Sequence, residues 1–488
     1  MKEDQTPLIG DFAKDAGPEA VSAEPQQEGQ QEGKKRGFSS KIGFVLAAAG
    51  SAVGLGNLWR FPYLAAKYGG GFFILCYILL AITVGFTLLI LEIAIGRKTG
   101  KGVIGAFATL NKKFKWFGFF CLAVPIIIVP YYSVIGGWVL KYLAAFTVGD
   151  MASFADSDSS AAYFSSFIGN SWQPLIYFLV FAVLTVLVVI FGVQKGIERV
   201  SKILMPILAI LTVGLAIYAV CQPGALAGLK KLFVPDLSGY DAKKIFSTLL
   251  AALGQLFYSM SLAMCIMITY GSYMKKSANI QTSARQISIC DTLFAIFAAT
   301  IIIPSIYSVA ATTGSDAAGM MESSGPSLMF VVLPQVFDGM VAGRFIGMLF
   351  FLLVFFAALT SSISLVEAIV AVLRENCHLK RWVSCLIVFG IMLVLGTLSS
   401  LGNGPLSNVL LLERAFLDFF DFISNSVMMP IVAIITCILV GYFMDRTLIM
   451  DEIGLKKKLS RSYFSIMIRY IAPVCMLAIL ISGLFLTL

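Results

Sequence analysis

Eleven apolar runs, each long enough to cross a membrane as a helix, recur from residue 42 to the carboxy-terminal end of this chain. A transmembrane helix needs about 20 apolar residues, and in lipid a helix satisfies its own backbone polar groups. The pattern therefore predicts an all-α polytopic membrane protein with eleven transmembrane helices. The predicted spans are 42–66, 72–96, 115–147, 173–192, 197–220, 245–273, 283–311, 341–374, 382–401, 415–444 and 463–487.

Charge and cysteine content exclude several classes of function. Only 13% of the residues are charged, against about a quarter in soluble domains, so a soluble fold is excluded. The net charge of +9 is spread in short clusters between apolar runs, which argues against nucleic-acid binding. The nine cysteines form no C-x-x-C pair, and a single histidine, His378, cannot build a multi-histidine zinc site. No nucleophile paired with a base stands out at membrane depth, so the chain is not expected to be an enzyme.

Composition also divides the chain. Residues 1–37 are rich in Gln, Glu and Gly with almost no apolar content, which predicts a disordered cytoplasmic tail. Residues 38–488 are predicted to form the transmembrane domain, with repeat one at about 42–220, repeat two at about 245–444 and an extra helix at about 463–487. Six Lys and Arg residues lie from Arg97 to Lys115, in the connection of spans two and three and at the first residue of span three, which places the amino terminus in the cytoplasm. With an odd number of spans, the carboxy terminus of this multi-pass cell-membrane protein is then extracellular.

Two of the spans contain residues that interrupt a helix. The first span includes GSAVGLGNLWRFPY (Gly50 to Tyr63), and the sixth includes GQLFYSMSLAM (Gly254 to Met264). Close packing through small residues would explain the glycines, but not Asn57 together with Arg60 at membrane depth. Broken helices that open two halves of five spans each indicate an inverted repeat with a binding site near the membrane midplane.

Six motifs carry a resemblance to a known family. They are GSAVGLGNLWRFPY, YGGGFF, ILEIAIGR, KGIERVSKILMP, ALTSSIS and LDFFDFIS. Together they resemble the neurotransmitter:sodium symporter family, and within it the bacterial eleven-span amino-acid transporters of the LeuT-like fold, from about Phe38 to the end. The resemblance implies sodium-coupled secondary active uptake of an amino acid by alternating access, with a five-plus-five inverted repeat in which helices 1 and 6 are broken.

The resemblance implies two sodium ions as cofactors. The first site is expected to comprise Ala52, Asn57, Ser259, Asp291 and the carboxylate of the bound substrate. The second is expected to comprise the carbonyls of Gly50, Val53 and Ala357 with the hydroxyls of Thr360 and Ser361. Without the resemblance, adjacent hydroxyls in a membrane helix would be expected to bond back to carbonyls of their own helix.

The resemblance also implies a substrate pocket, formed by Ala52, Gly54, Gly56, Ile128, Tyr132, Tyr258, Ser259, Ser261, Met264, Ser361 and Leu365. Without it, such an apolar lining would be ordinary core. Monoamine carriers of the family have an Asp where this chain has Gly54, so the substrate should bring its own carboxylate. The apolar wall then predicts a neutral, apolar amino acid. Ala263 and Cys265 stand where the family usually has glycine, so the sixth-span break should be stiffer.

Charged residues near the two mouths resemble the gates of the family. Arg60 and Asp421 match the extracellular pair, with Tyr132 and Tyr258 beneath them. Lys35 and Glu375 match the cytoplasmic pair, with Lys35 and Phe38 in place of the usual Arg and Trp. Glu92 is expected to pack against the broken first helix, and Glu367 is either functional or solvated in an inner vestibule.

Chloride use is expected to be lost. The family's chloride ligands correspond here to Tyr77, Gln255, Ser259, Ala295 and Asp291. Ala295 lacks a hydroxyl and Asp291 supplies a fixed negative charge, which predicts sodium-dependent, chloride-independent transport. A proton-coupled permease of the same fold and a non-transporting membrane sensor remain alternatives. The expected partners are the amino acid and membrane lipid, without nucleic acid, and the oligomeric state is left open.

Overall fold

The computed structural model describes residues 37–235, 237, 239–322 and 325–485, and the regular elements in these ranges are helices. Residues 1–36 of the predicted tail, Lys35 among them, lie outside the described residues. We number the helices and half-helices of the membrane domain α1 to α13. In chain order they are Lys41–Ala52, Gly56–Lys67, Gly71–Thr99, Lys112–Val148, Gln173–Ile190, Val193–Val220, Ala242–Ser259, Ile266–Ser272, Ile280–Thr313, Gly343–Asn376, Arg381–Leu401, Phe416–Phe443 and Lys458–Phe485.

These helices follow the predicted spans. Within the described ranges, nine helices are long and apolar enough to cross a membrane, and α1 with α2 forms a tenth, bent span. The pair α7 and α8 occupies the position of the predicted sixth span, on either side of an interruption at Met260–Cys265. The all-helical polytopic fold is confirmed, and a count of eleven spans is compatible with it. The connections between α4 and α5, between α6 and α7 and between α9 and α10 contain the short helices Ser157–Gly169, Ala225–Phe233 and Leu328–Asp338.

The first span breaks where its glycines and polar residues predicted. Helix α1 starts after Ser40, whose hydroxyl accepts a hydrogen bond from Gly43 N at 3.0 Å, and ends at Ala52. Val53 then adopts an extended backbone, and α2 leaves at 52° to α1. A Cβ atom on Gly54 would lie only 2.8 Å from the Ser361 Oγ, so a side chain here would collide with α10.

The sixth-span break lies later than the motif suggested. Helix α7 continues through Gly254 and Gln255 to Ser259, and the regular helix resumes only at Ile266. Between them the φ angles of Ser261, Ala263 and Cys265 are +53°, +60° and +64°. Residues with a Cβ atom rarely adopt this left-handed conformation. Ala263 and Cys265, which stand where the family usually has glycine, therefore leave the break in place but in a disfavoured backbone conformation.

Long helices surround both breaks. Helix α1 packs against α6, α9 and α10, and α4 packs along α10 over much of its length. On the other side, α3 contacts both α7 and α8. Because each half-helix ends between these long neighbours, the irregular backbone is buried in protein rather than exposed to lipid, as membrane proteins require.

Candidate functional site

A narrow cavity lies between the two breaks. The eleven residues predicted for the substrate pocket all line it, together with four more. Of the additional residues, Asn57 was predicted only as a sodium ligand, whereas Ser51, Leu55 and Ile266 were not predicted at all. Each of these three directly adjoins a predicted pocket or break residue, and this adjacency is the signal that could have identified them. The lining contains no charged side chain.

One end of the cavity adjoins a buried carboxylate, Asp291 of α9, which has 0% exposure. Asp291 accepts hydrogen bonds from Ser259 Oγ at 2.5 Å, from Asn57 Nδ2 at 2.8 Å and from the Tyr77 hydroxyl at 2.8 Å. No Lys or Arg forms an ion pair with it in the part of the chain that the structure describes. Burying an unpaired carboxylate is costly, so this arrangement fits a bound cation as the missing counter-charge.

The five residues predicted for the second sodium site also converge, where α1 meets α10. Ser361 Oγ donates to the carbonyl oxygen of Ser51, not a predicted ligand, at 3.0 Å and lies 3.4 Å and 3.5 Å from those of Gly50 and Val53. Thr360 Oγ1 bonds back to the Ala357 carbonyl of its own helix at 3.1 Å. Thr360 thus behaves as an ordinary helical threonine would, whereas Ser361 connects two helices. Neutral oxygens of this kind suit a hard cation.

Arg60 and Asp421 lie on the same side of the cavity without touching. The charge of Arg60 acts on Asp421, but no ion pair of 4.0 Å or less joins them in the described ranges. Asp421 accepts a hydrogen bond from Asn425 Nδ2 at 2.6 Å instead. Beneath this pair, the Tyr132 hydroxyl accepts a bond from Leu55 N at 3.4 Å, so Tyr132 contacts the first-span break.

At the opposite end of the bundle, the predicted inner residues contact neighbouring helices. Glu375 Oε2 accepts a hydrogen bond from Gly102 N at 2.7 Å. Phe38, 2% exposed, packs edge-on against the rings of Phe44, Tyr270 and Tyr273. The amino-terminal end of the described chain is therefore anchored by an aromatic cluster. Lys35, the predicted partner of Glu375, lies outside the described residues.

Comparison with known proteins identifies the family. The family model described as the sodium:neurotransmitter symporter family matches residues 35–154 and 164–487. This chain belongs to that family. It is 36% identical to an uncharacterized sodium-dependent transporter, YhdH of Bacillus subtilis, over 91% of this chain and 97% of that protein. It is 31% identical to an uncharacterized sodium-dependent transporter of Haemophilus influenzae, over 93% of this chain and 99% of that protein.

A solved structure agrees with this assignment. The crystal structure of MhsT in complex with L-phenylalanine matches with a TM-score of 0.81 and 35% identity, covering 92% of this chain and 100% of that chain. The predicted family and LeuT-like fold are thus confirmed. The protein is a sodium-coupled symporter of the membrane and not an enzyme.

In this symporter Glu92 is bonded to the sixth-span break. Its Oε1 accepts a hydrogen bond from Ala263 N at 2.7 Å. The physical reason is that Ala263 N lies outside any helix and needs an acceptor, since buried backbone donors are rarely left unpaired. That Glu92 also packs against the broken first helix stays a prediction.

Glu367 of the symporter, left open by the sequence, is a buried ion-pair residue. It has 0% exposure and forms an ion pair with Arg381 of α11. The Tyr273 hydroxyl donates a further hydrogen bond to Glu367 Oε1 at 2.8 Å. The carboxylate is thus paired and buried, rather than solvated in a vestibule.

Proposed function

We propose that this symporter takes up a neutral, apolar α-amino acid together with sodium by alternating access, without using chloride. The observation that carries the proposal is the cavity between the two breaks, whose lining has no charged side chain. A zwitterion enters such a cavity without net charge, whereas an amine or a charged amino acid would leave an unpaired charge in it. The side chains of Ile128, Met264 and Leu365 favour an apolar substrate. The L-phenylalanine in the similar MhsT structure supports the same class.

Half-helix ends supply the polar contacts of a zwitterion. Helices α1 and α7 end at Ala52 and Ser259, where carbonyl oxygens are left without helical partners. Helix α2 begins at Gly56, and the backbone N–H groups of its first turn lie at the positive end of the helix dipole. Carbonyl ends favour an ammonium group and amide ends favour a carboxylate, because of the helix dipole. We infer that the substrate lies with its carboxylate toward α2 and the first sodium ion.

We assign one sodium ion to each of two sites. Ala52, Asn57, Ser259 and Asp291 hold the first with the substrate carboxylate, and Gly50, Val53, Ala357, Thr360 and Ser361 hold the second. Two sodium ions and a zwitterion bring two positive charges, which need compensating negative charge in a low-dielectric site. Asp291 supplies one fixed negative charge beside Tyr77 and Ser259. Chloride is therefore not required.

Alternating access requires a gate at each mouth. Arg60 and Asp421 close the extracellular mouth in this proposal, whereas the cytoplasmic pair of Lys35 and Glu375 stays a prediction from the sequence. The residues 42–220 and 245–444 act as the two inverted repeats, the segment 463–487 is the extra helix, and the tail 1–37 stays in the cytoplasm. The carboxy terminus is then extracellular.

Uptake into proteoliposomes with an inward sodium gradient tests the proposal. Leucine, methionine, phenylalanine and tryptophan are offered beside lysine, glutamate and decarboxylated amines. Saturable uptake is expected only for members of the first group. Ile128→Ala should raise the KM for that substrate, whereas Ile126→Ala in the same helix should not, because Ile126 does not line the cavity. Uptake of an amine, without uptake of any apolar amino acid, would contradict the substrate class.

A further inference from the structure

The sixth-span break is held by three contacts, each from a different helix. Ser261 Oγ donates to the Ser51 carbonyl of the first span at 3.0 Å. Ala263 N donates to Glu92 of α3 at 2.7 Å. Cys265 Sγ donates to the Cys121 carbonyl of α4 at 3.1 Å. These are the three residues of the break with positive φ, so each disfavoured conformation there coincides with an anchoring contact.

The Cys121 carbonyl can accept the third contact because a proline follows it in α4. In a regular helix the Cys121 carbonyl would accept a hydrogen bond from the N–H of the residue four positions later. That residue is Pro125, which has no N–H, so the carbonyl is left without its helical donor. Cys121 has 0% exposure, so bulk solvent does not reach that carbonyl. The Cys265 thiol, 1% exposed, supplies a donor instead.

Cys265 stands between two residues of the substrate cavity. Met264 before it and Ile266 after it both line the cavity. The Cys265 carbonyl also accepts the hydrogen bond of Thr269 N at 3.0 Å, which forms the first turn of α8. The position of Cys265 therefore determines where two pocket side chains and the start of the inner half-helix lie.

We propose that Cys265 is a positioning residue for the substrate, whose thiol fastens the sixth-span break to the carbonyl that Pro125 leaves free in α4. The bond holds Met264 and Ile266 against Ile128 and Tyr132, which are carried by the same α4 helix. This inference rests on the proposed function, because it concerns the pocket of the transported amino acid. It gives a role to a cysteine that would otherwise be a small apolar core residue.

Variants at the donor and at the acceptor test the bond. Cys265→Ala removes the thiol but keeps a Cβ atom in the same backbone conformation, and Cys265→Ser keeps a donor. Pro125→Ala restores an N–H in α4, which then competes for the Cys121 carbonyl. Cys385→Ala is the matched control, since Cys385 of α11 is equally buried but does not line the cavity. KM and maximal rate of amino-acid uptake are measured in proteoliposomes, and thermal unfolding of each purified variant reports its folding.

Cys265→Ala and Pro125→Ala are each expected to raise the KM about threefold to fivefold, the effect of one neutral hydrogen bond, with little change in maximal rate. Cys265→Ser should stay near wild type, as should Cys385→Ala. The double variant of Cys265→Ala with Pro125→Ala should be no worse than either single variant, because both remove the same bond.

Three results would overturn the proposal: a wild-type KM in Cys265→Ala, an equal loss in Cys265→Ser, or additive effects in the double variant. A wild-type protein without sodium-driven uptake would instead reject the proposed function itself, so the two failures are distinguishable. If Cys265→Ala did not fold, Pro125→Ala and Cys265→Ser would still decide, because the proposal requires a raised KM in the former and a near-wild-type KM in the latter.

Discussion

At the scale of single residues, Asp291 is the group on which the ion requirement depends. It is fully buried, and its three hydrogen-bond donors are neutral. Ala295 follows one helical turn later and also has 0% exposure. A hydroxyl at position 295 and an amide at position 291 would replace a fixed negative charge by neutral donors, which are what an anion needs.

The double substitution Asp291→Asn with Ala295→Ser should therefore make uptake depend on chloride. Removal of the carboxylate leaves the sodium charges uncompensated, and a bound chloride restores the balance. Uptake is measured with chloride or gluconate at constant sodium. Ala295→Ser alone, which keeps the carboxylate, should remain independent of chloride. Equal uptake of the double variant in the two media would contradict the role given to Asp291.

Thr360 gives a second prediction at the residue scale. Thr360→Val removes one hydroxyl from the second sodium site with little change in volume, so the sodium concentration for half-maximal uptake should rise about tenfold or more. Thr436→Val is the control, because Thr436 of α12 has the same 3% exposure and also bonds back to its own helix. A similar sodium dependence in the two variants would reject the second site.

At the scale of helices, the sequence located the first break but not the limits of the sixth. The motif that contains Gln255 and Ser259 suggested an interruption of the sixth span at these residues. Both remain in the regular helix α7, and their side chains bond to α2 and α9. Gln255 Nε2 donates to the Gly56 carbonyl at 3.0 Å, and Ser259 donates to Asp291. The left-handed backbone at Ala263 and Cys265 could not be predicted, because contacts with α3 and α4 impose it against the preference of these residue types.

The proposed outer gate involves two helices, since Arg60 lies on α2 and Asp421 lies on α12. Since the two charges are not in contact in this structure, we expect them to meet when the mouth closes over substrate. Arg60→Ala or Asp421→Ala should abolish uptake, because the mouth no longer occludes, while sodium binding persists. Sodium-dependent thermal stabilisation measures binding, and proteoliposome uptake measures transport. Normal transport rates in both variants would remove the gate assignment.

At the scale of the whole molecule, topology follows from the loop charges and the number of spans. A cysteine-free background with one cysteine added after Leu488 should react with an impermeant thiol reagent in intact cells, because the carboxy terminus is predicted to be extracellular. A cysteine placed at Lys98, near the carboxy-terminal end of α3, should react only after permeabilisation. Labelling of the terminal cysteine only after permeabilisation would overturn the topology.

Much of the site could be predicted because its residues lie in recognisable motifs. The eleven predicted pocket residues line one cavity, since the positions carried over from the family resemblance lie at the two breaks and on the facing helices α4 and α10. What could not be predicted depends on contacts between helices distant in sequence. The bond from Ala263 to Glu92 and the ion pair of Glu367 with Arg381 are of this kind. Local patterns carry no information about such partners.

Sodium-driven accumulation in chloride-free proteoliposomes is the decisive measurement for sodium coupling without chloride. Vesicles loaded without sodium are diluted into sodium gluconate with a labelled apolar amino acid, and internal substrate is followed over time. We expect the labelled amino acid to accumulate transiently above its external concentration. This accumulation should be abolished when choline replaces sodium or when an ionophore dissipates the sodium gradient. Accumulation that required chloride, or that a proton gradient drove equally well without sodium, would contradict the proposed function.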